Sequence, residues 1–328
     1  MIQDSFHRKI EYVRIAITDR CNLRCFYCMP KEGIPYEPKK ELLSYEEIIR
    51  LLKILGLLGF KKVRFTGGEP FLRKDFVKLL TKTKNLGVYD SINITTNGTL
   101  LLKYLDLIKE LGIKNINLSL DSLDPKRFNK ITRRDDFNKV IETLNRLIDY
   151  KFNIKVNAVI MDGINNQDII PLSKLALENN ISIRYIEEMP FNGGNKKKTD
   201  LFRARDIFKV LKDHYPSINK KEFIHGQTAT KFSVDGFKGD LGIIAAFSRT
   251  FCDSCNRLRI TSKGSIKTCL YDNGQFSIRD FIRSGVSDSD IKSKFEELIK
   301  LKPKNGFEAE KSIKNSKTQR ESMSMIGG

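Results

Sequence analysis

Six short runs rich in β-forming residues alternate with amphipathic helical patterns over the first two-thirds of the chain, and no other feature limits the fold as strongly. The runs span residues 12–18, 62–66, 91–95, 115–120, 154–160 and 183–187. Strands that alternate with helices form right-handed βαβ units around a parallel sheet. The alternation therefore predicts an α/β fold. An open doubly wound sheet and a partial barrel both remain possible, because six units are too few for a closed eight-stranded barrel.

The segments between these runs have the apolar spacing of helices that pack on a sheet. Ser44 is the predicted N-cap of the first helix, with Glu46 and Glu47 in its first turn and apolar residues at helical spacing after them. Further helices are predicted over residues 74–85, 101–111, 136–150 and 168–179.

The pattern changes after about residue 192. A loop over residues 191–200 precedes a helix over 201–214 and short strands near 231–234, 242–247, 257–261 and 265–268. Two helices, 278–284 and 288–301, and a polar stretch over 302–328 follow. We therefore predict two domains, residues 1–215 and a smaller α+β unit over residues 216–328.

The chain is strongly basic, with 59 Lys and Arg against 40 Asp and Glu, a formal net charge of +19. Composition alone leaves three explanations open: a nucleic-acid surface, a pocket for a polyanionic small molecule, or lysines on solvated faces. The richest apolar run, residues 51–60, contains Lys53 and is too short for a membrane span. The N-terminus lacks the apolar run of a signal peptide, so we expect a cytoplasmic protein whose cysteines are not structural disulfides.

All six cysteines fall in two groups of three, which are Cys21, Cys25 and Cys28, and Cys252, Cys255 and Cys269. A structural zinc site needs four ligands, and no histidine lies within ten residues of either group. Three thiolates suit a [4Fe–4S] cluster with one iron open to an external ligand. Zinc completed by a distant histidine is the competing metal site.

The first triplet, Cys21-Asn-Leu-Arg-Cys25-Phe-Tyr-Cys28, resembles the cluster loop of radical S-adenosylmethionine (SAM) enzymes. The second triplet, with Asn256-Arg257-Leu258-Arg259 directly after Cys255, narrows the resemblance to the branch that begins molybdenum-cofactor (molybdopterin) biosynthesis. The likeness covers essentially the whole chain. It implies a partial (βα)6 TIM-like barrel and a C-terminal domain that carries a second iron–sulfur cluster.

The resemblance also implies the chemistry. Two [4Fe–4S] clusters and SAM would be the cofactors and GTP the substrate, with a 5′-deoxyadenosyl radical taking hydrogen from C3′ of the ribose and C3′ then bonding to C8 of guanine. The implied partners are an electron donor and the next enzyme, cyclic pyranopterin monophosphate synthase, and a homodimer stays open. Neither nucleic acid nor a membrane is expected as a partner.

Residue roles are carried over from the resemblance onto matching positions. Those that would contact SAM are Tyr27, Gly68, Ser119 and Met189. Those that would contact GTP are Arg14, Arg64, Thr95, Lys155, Arg257 and Arg259. The terminal Gly327 and Gly328 would reach the active site. Arg14, Arg64 and Lys155 lie inside apolar strand patterns, where a charge is costly unless it faces a cavity or an internal carboxylate.

Two alternatives remain at this point. One is another radical SAM enzyme with an auxiliary cluster, such as a peptide-maturing one. The other is a non-catalytic basic zinc protein that binds RNA, with salt-sensitive affinity.

Overall fold

A computed structural model of the chain describes residues 2–189, 202–274, 276–314 and 323–326. The predicted tail residues Gly327 and Gly328 lie outside these ranges. Six parallel strands form the centre of the molecule: β1 (Tyr12–Ala16), β2 (Lys62–Thr66), β3 (Ser91–Thr96), β4 (Asn115–Ser119), β5 (Asn153–Ile160) and β6 (Ser182–Glu187). The helices between them are α1 (Tyr45–Leu57), α2 (Phe76–Asn85), α3 (Leu105–Glu110), α4 (Pro125–Thr132), α5 (Phe137–Asp149) and α6 (Ile169–Glu178).

The C-terminal third adds further elements. The helices are α7 (Ala204–His214), α8 (Ile278–Arg283), α9 (Asp288–Lys300), α10 (Gly306–Lys314) and α11 (Met323–Ile326). The strands are β7 (Asn219–Lys220), β8 (Thr230–Ser233), β9 (Asp240–Ile244), β10 (Arg257–Ile260), β11 (Ser265–Lys267) and β12 (Phe276–Ser277).

The described strands form one sheet in the order β12-β11-β10-β1-β2-β3-β4-β5-β6-β9-β8-β7. Strand β10 pairs in parallel with β1, and β9 pairs in parallel with β6. The C-terminal strands therefore extend both edges of the central sheet instead of forming a sheet of their own. The α/β partial barrel predicted from the sequence is confirmed. The division at residue 215 stays a prediction.

Local sequence signals explain the helix starts. Ser44 caps α1 by accepting from the Glu47 amide at 3.1 Å, and Glu47 accepts in return from the Ser44 amide at 2.6 Å, so two otherwise unpaired amides are satisfied. The sequence analysis missed α4, whose Asp124 cap and Pro125 are a recognisable start signal. It also missed β7 and β12, which are two residues each.

The core lies between the sheet and its covering helices. Apolar strand residues such as Val13, Ile15, Val63 and Phe65 are fully buried there. The alternate residues of the same strands point to the other face, and there the chain places many of its buried polar side chains. Among the described residues, no helix is long and apolar enough to cross a membrane.

Candidate active site

A cavity of about 450 Å³ follows the inner face of the parallel strands to their carboxyl ends. Every predicted site residue within the described ranges lines it. They are Arg14, Cys21, Cys25, Tyr27, Cys28, Arg64, Gly68, Thr95, Ser119, Lys155, Met189, Cys252, Cys255, Arg257, Arg259 and Cys269. Met323 and Ser324 of α11 line it too, which brings the chain close to the cavity just before the undescribed tail.

The first thiol triplet lies on the loop after β1. The Cys28 amide donates to the Cys25 carbonyl at 2.9 Å, which folds this part of the loop into a tight turn. The amides of Arg24 and Phe26 donate to carbonyls at the end of α4 at 2.8 and 3.1 Å, so backbone bonds fasten the loop to the barrel. The Asn97 amide group lies 3.8 Å from the Cys21 sulfur, within range of a weak hydrogen bond.

The charges around this triplet test whether it suits an iron–sulfur cluster. Burial raises the pKa of Cys25, and the neighbouring Cys28 and Asp121 raise it further. Burial likewise raises the pKa of Cys21, to about 11. Thiols whose surroundings raise their pKa ionise only beside a strongly cationic partner, which cluster iron supplies. Among the described residues, no group of three or more His, Cys, Asp or Glu side chains is placed to hold a metal ion, so the fit of a cluster rests on the chemistry of the three thiols. The donor set fits a cluster held at three corners.

The glycine pair after β2 packs against the backbone that leads into the cysteine loop. A Cβ on Gly68 would lie 2.2 Å from the Arg20 carbonyl oxygen, so no side chain fits there. Gly67 has φ +143°, and a Cβ there would lie 2.3 Å from the Thr18 carbonyl oxygen. The pair thus sets the position of the loop that carries Cys21, in addition to any contact that Gly68 makes with a ligand.

Two buried carboxyl groups support the loops around the first triplet. Glu69 accepts from Thr96 Oγ1 and the Asn97 amide, each at 2.8 Å, and burial raises its pKa to about 7. Asp121 accepts from the Tyr27 hydroxyl and the Val159 amide, each at 2.8 Å, and burial raises its pKa to about 6. Tyr27 is therefore held by a bond to the end of β4, beside Ser119.

The second triplet comes from the two loops that flank β10 and β11. The Cys255 amide donates to the Cys252 carbonyl at 3.1 Å, and the Cys269 amide donates to Asp272 at 2.7 Å. The buried Arg8 guanidinium donates to the Cys252 carbonyl at 2.9 Å. The N-terminal segment thereby holds one loop of this triplet in place.

Cationic neighbours act more strongly on the second triplet than on the first, where Arg24 is the cation that lowers the pKa of Cys21. Burial would raise the pKa of Cys255, but the charges of Lys302 and Arg257 outweigh it and lower that pKa to about 6. Burial is the larger effect at Cys269, where it raises the pKa to about 11. The ammonium group of Lys302 also donates to the carbonyls of Arg257 and Thr268, which ties the loops of this triplet together.

The predicted basic residues lie in register on neighbouring strands. Arg14 of β1 aligns with Arg259 of β10 and with Arg64 of β2. One row of the sheet thus places three guanidinium groups side by side over the cavity. Burial and the charge of Arg259 lower the pKa of Arg14, which is the signature of cations confined together in a site of low polarity.

Arg64 is held in a fixed orientation. It donates through Nε to the Tyr12 hydroxyl and through Nη1 to Thr95 Oγ1 at 3.0 Å. The sequence analysis left an internal carboxylate open as the partner of Arg64. In the structure its partners are instead a phenol and an aliphatic hydroxyl. Lys155 faces the same cavity, and burial with the charges of Arg184 and Arg64 lowers its pKa to about 7.

The sequence analysis missed three cavity residues that extend this cluster: Tyr12, Lys62 and Arg184. Tyr12 and Lys62 each lie two residues before a predicted arginine on the same strand, and Arg184 aligns with an inward position of the neighbouring strand β5. The two-residue alternation of strands could therefore have found all three. The Nε atom of Arg184 is buried and has no hydrogen-bond partner among the described residues. Such a donor suits an anionic ligand.

Comparison with known proteins bears on this arrangement. Residues 15–176 match the Radical SAM superfamily, and residues 181–308 match Molybdenum Cofactor Synthesis C. A GTP 3′,8-cyclase of Petrotoga mobilis is 36% identical over 328 residues and is covered to 99%, as is this chain. The chain belongs to the GTP 3′,8-cyclase family.

Other relatives are longer than this chain. A mitochondrial GTP 3′,8-cyclase of Arabidopsis thaliana is 38% identical, with 92% of this chain and 78% of the relative covered. Human molybdenum cofactor biosynthesis protein 1 is 38% identical, with 88% of this chain and 46% of the relative covered. The chain thus spans about half the length of several curated relatives, including the human one.

Solved structures of low identity share the fold. The Streptococcus suis SuiB structure bound to S-adenosylmethionine has a TM-score of 0.59 at 18% identity, with 87% of this chain and 68% of SuiB covered. Membership of the radical SAM superfamily brings an iron–sulfur cluster and SAM as cofactors. The first triplet, in the matched region, has the donors for that cluster.

Proposed function

We propose that this protein is a GTP 3′,8-cyclase. It would convert GTP to (8S)-3′,8-cyclo-7,8-dihydroguanosine 5′-triphosphate, the first step of molybdenum-cofactor biosynthesis. The observation that carries the proposal is that both thiol triplets and a buried cationic cluster line one cavity. A radical SAM enzyme that acts on a polyanionic nucleotide needs these three parts together.

In this proposal Cys21, Cys25 and Cys28 hold the first cluster, and Tyr27, Gly68, Ser119 and Met189 contact SAM. When bound, this cluster and SAM supply the carbon-centred radical that removes hydrogen from C3′ of the ribose. The chain orients Tyr27 through Asp121 and sets the loop position through its glycine pair.

The basic residues would bind the triphosphate, which carries roughly four negative charges near neutral pH. Guanidinium groups bind phosphate oxygens through paired, charge-assisted hydrogen bonds. The predicted set is Arg14, Arg64, Thr95, Lys155, Arg257 and Arg259, and the structure adds Lys62 and Arg184 as candidates. Thr95 contributes through Arg64, whose guanidinium it orients.

We also propose that Cys252, Cys255 and Cys269 hold a second [4Fe–4S] cluster, which would supply a coordination site for the guanine base. The position of all three thiols on the wall of the cavity supports this. The residues of this chain would then fix both ends of the nucleotide, its base near the second triplet and its triphosphate on the basic rows.

The decisive experiment is turnover by anaerobically purified protein. The protein should contain about eight irons per chain. Incubation with GTP, SAM and a reductant should yield 5′-deoxyadenosine and a cyclised nucleotide by mass spectrometry, and Cys25→Ala should yield neither. Cleavage of SAM without a cyclised nucleotide would indicate another radical SAM reaction. Zinc without iron would exclude this class altogether and favour the non-catalytic zinc protein.

The tail residues Gly327 and Gly328 are proposed to complete the active site. A chain that lacks both should keep about eight irons, because no thiol is removed, but should lose cyclisation. Iron content and product formation are measured on the same preparation. Full activity of the shortened chain would refute this role.

The remaining proposals concern context. Residues 1–215 and 216–328 are proposed as the two functional units, the barrel and the part that carries the second cluster. An electron donor, transfer of the product to cyclic pyranopterin monophosphate synthase, a homodimer and a cytoplasmic location are also proposed, all by analogy with the family.

A further inference from the structure

Tyr12 lies inside the basic cluster, in direct contact with two of its members. It aligns with Arg257 of β10 on one side and Lys62 of β2 on the other. Its hydroxyl accepts from Arg64 Nε. The Lys62 ammonium lies 5.0 Å from the centre of its ring. Tyr12 is 7% exposed, so these contacts are shielded from water.

The charges in the cavity around Tyr12 come from five of the parallel strands. Arg14 is on its own strand, and the others are Lys62, Arg64, Lys155, Arg184, Arg257 and Arg259 on β2, β5, β6 and β10. Burial would raise the pKa of Tyr12, but Arg64, Arg14 and Lys62 outweigh burial and lower it to about 7. The nearby carboxylate Asp240 accepts from Lys231 at 2.7 Å and from Ser182, so it is already engaged at the edge of the cluster.

Three of these cations, Arg64, Arg257 and Arg259, are buried and the others are partly buried, so they repel one another unless an anion lies among them. The polyphosphate supplies that anion only while it is bound. We propose that Tyr12 is the internal counter-charge of the empty cluster, and that a bound polyphosphate replaces it and drives its protonation. The proposal rests on the proposed function for the identity of the nucleotide, but not for the binding of a polyphosphate.

The step is a simple exchange. In the empty cavity the phenolate of Tyr12 accepts from Arg64. When the polyphosphate arrives, its oxygen atoms take the cationic donors, and the phenolate takes one proton from solvent to become a neutral phenol. Binding therefore consumes a proton. The affinity for polyphosphate is highest below the pKa that Tyr12 has in the ligand-free protein, and it falls as the pH rises through that pKa.

The direct test is a near-ultraviolet difference spectrum of the anaerobic holoenzyme, just above neutral pH. Inorganic tripolyphosphate is the probe, because it does not absorb there. We expect saturation to remove the absorbance of about one tyrosinate per chain. Tyr12→Phe should abolish this change. Tyr89→Phe should preserve it, because Tyr89 bonds to the Leu52 carbonyl under α1, away from the cluster. A change that survives in Tyr12→Phe, or no change in the unsubstituted protein, would overturn the proposal.

A second measurement separates Tyr12 from Lys155, which also titrates near neutrality. In a Lys155→Arg background, tripolyphosphate affinity should fall up to about tenfold per pH unit above neutral. Adding Tyr12→Phe should flatten this profile, and an unchanged slope would contradict the proposal. Neither measurement requires turnover. Proton uptake without a cyclised nucleotide would refute the proposed function alone, whereas cyclisation without proton uptake would refute the role of Tyr12 alone.

Discussion

At the scale of single residues, the cavity combines groups that are each costly to bury. A buried guanidinium loses its hydration and is stable only with a partner. Arg64 has Tyr12 and Thr95 as partners, whereas Arg184 keeps an unsatisfied Nε. This difference suggests that Arg64 belongs to the fixed framework of the site and that Arg184 is completed by the ligand.

Arg184→Gln should therefore weaken GTP binding more than it weakens the fold. A lost charge-assisted hydrogen bond costs about 1.5–3 kcal/mol, or roughly 10- to 150-fold in KM for GTP. The control is Arg205→Gln, because the Arg205 side chain is 86% exposed. Steady-state kinetics at saturating SAM would measure the effect. Equal KM values for the two variants would show that Arg184 does not touch the nucleotide.

The sequence predicted the thiol triplets and several basic residues because their spacing is local. Cys21, Cys25 and Cys28 lie within eight consecutive residues, so their spacing is recognisable without any knowledge of the fold. Lys62 and Arg184 were missed because a single charge on a strand is informative only when its neighbours across the sheet are known. That information is set by pairing between distant segments.

At the scale of elements, the outer helices depend on their N-caps. The reciprocal hydrogen bonds of Ser44 and Glu47 begin α1, and Glu47 also accepts from Arg283 of α8 at 2.7 Å. One carboxylate therefore joins a helix of the barrel to a helix of the C-terminal third.

Ser44→Ala should lower the free energy of unfolding by about 1 kcal/mol, because it leaves an N-terminal amide of α1 without its acceptor. Chemical denaturation would measure the loss. Ser293→Ala, at an exposed position inside α9, is the matched control and should cost nothing. Equal stability of the two variants would mean that the cap does not limit unfolding.

Strand positions were predicted to within about three residues, as for β9, which was predicted over residues 242–247 and spans Asp240–Ile244. The pairing of β9 with β6 and of β10 with β1 was not predicted. Hydrophobic alternation identifies a strand but does not say which neighbour it will have. The close pairing of segments separated by more than two hundred residues, as for Arg14 and Arg259, is visible only in the folded chain.

At the scale of the whole molecule, the N-terminal segment joins the two ends of the chain. Arg8 pairs with Asp4 at 2.6 Å and donates to the carbonyls of Pro303 and Lys304, each at 2.7 Å. It also bonds to the Cys252 carbonyl. One buried side chain thus connects the start of the barrel, the second triplet and the approach to α10.

Arg8→Met should loosen the second triplet and leave the first intact. Removing one partner of a buried ion pair costs about 3–5 kcal/mol. We expect iron to fall from about eight to about four per chain, with SAM cleavage retained and cyclisation lost. Arg50→Met is the control, because it breaks an exposed pair with Asp288 that is worth about 0–1 kcal/mol. Full iron content in Arg8→Met would contradict this prediction.

The order of strands in the sheet has a consequence for synthesis on the ribosome. The six central strands emerge first. Their outer members, β1 and β6, lack a neighbour on one side until β10 and β9 have been synthesised. Until then the nascent chain carries two open sheet edges, each a template for pairing with another chain. The cavity and its second set of thiols are therefore completed only after nearly all of the polypeptide has been translated. The proposed second cluster could be loaded only after that point.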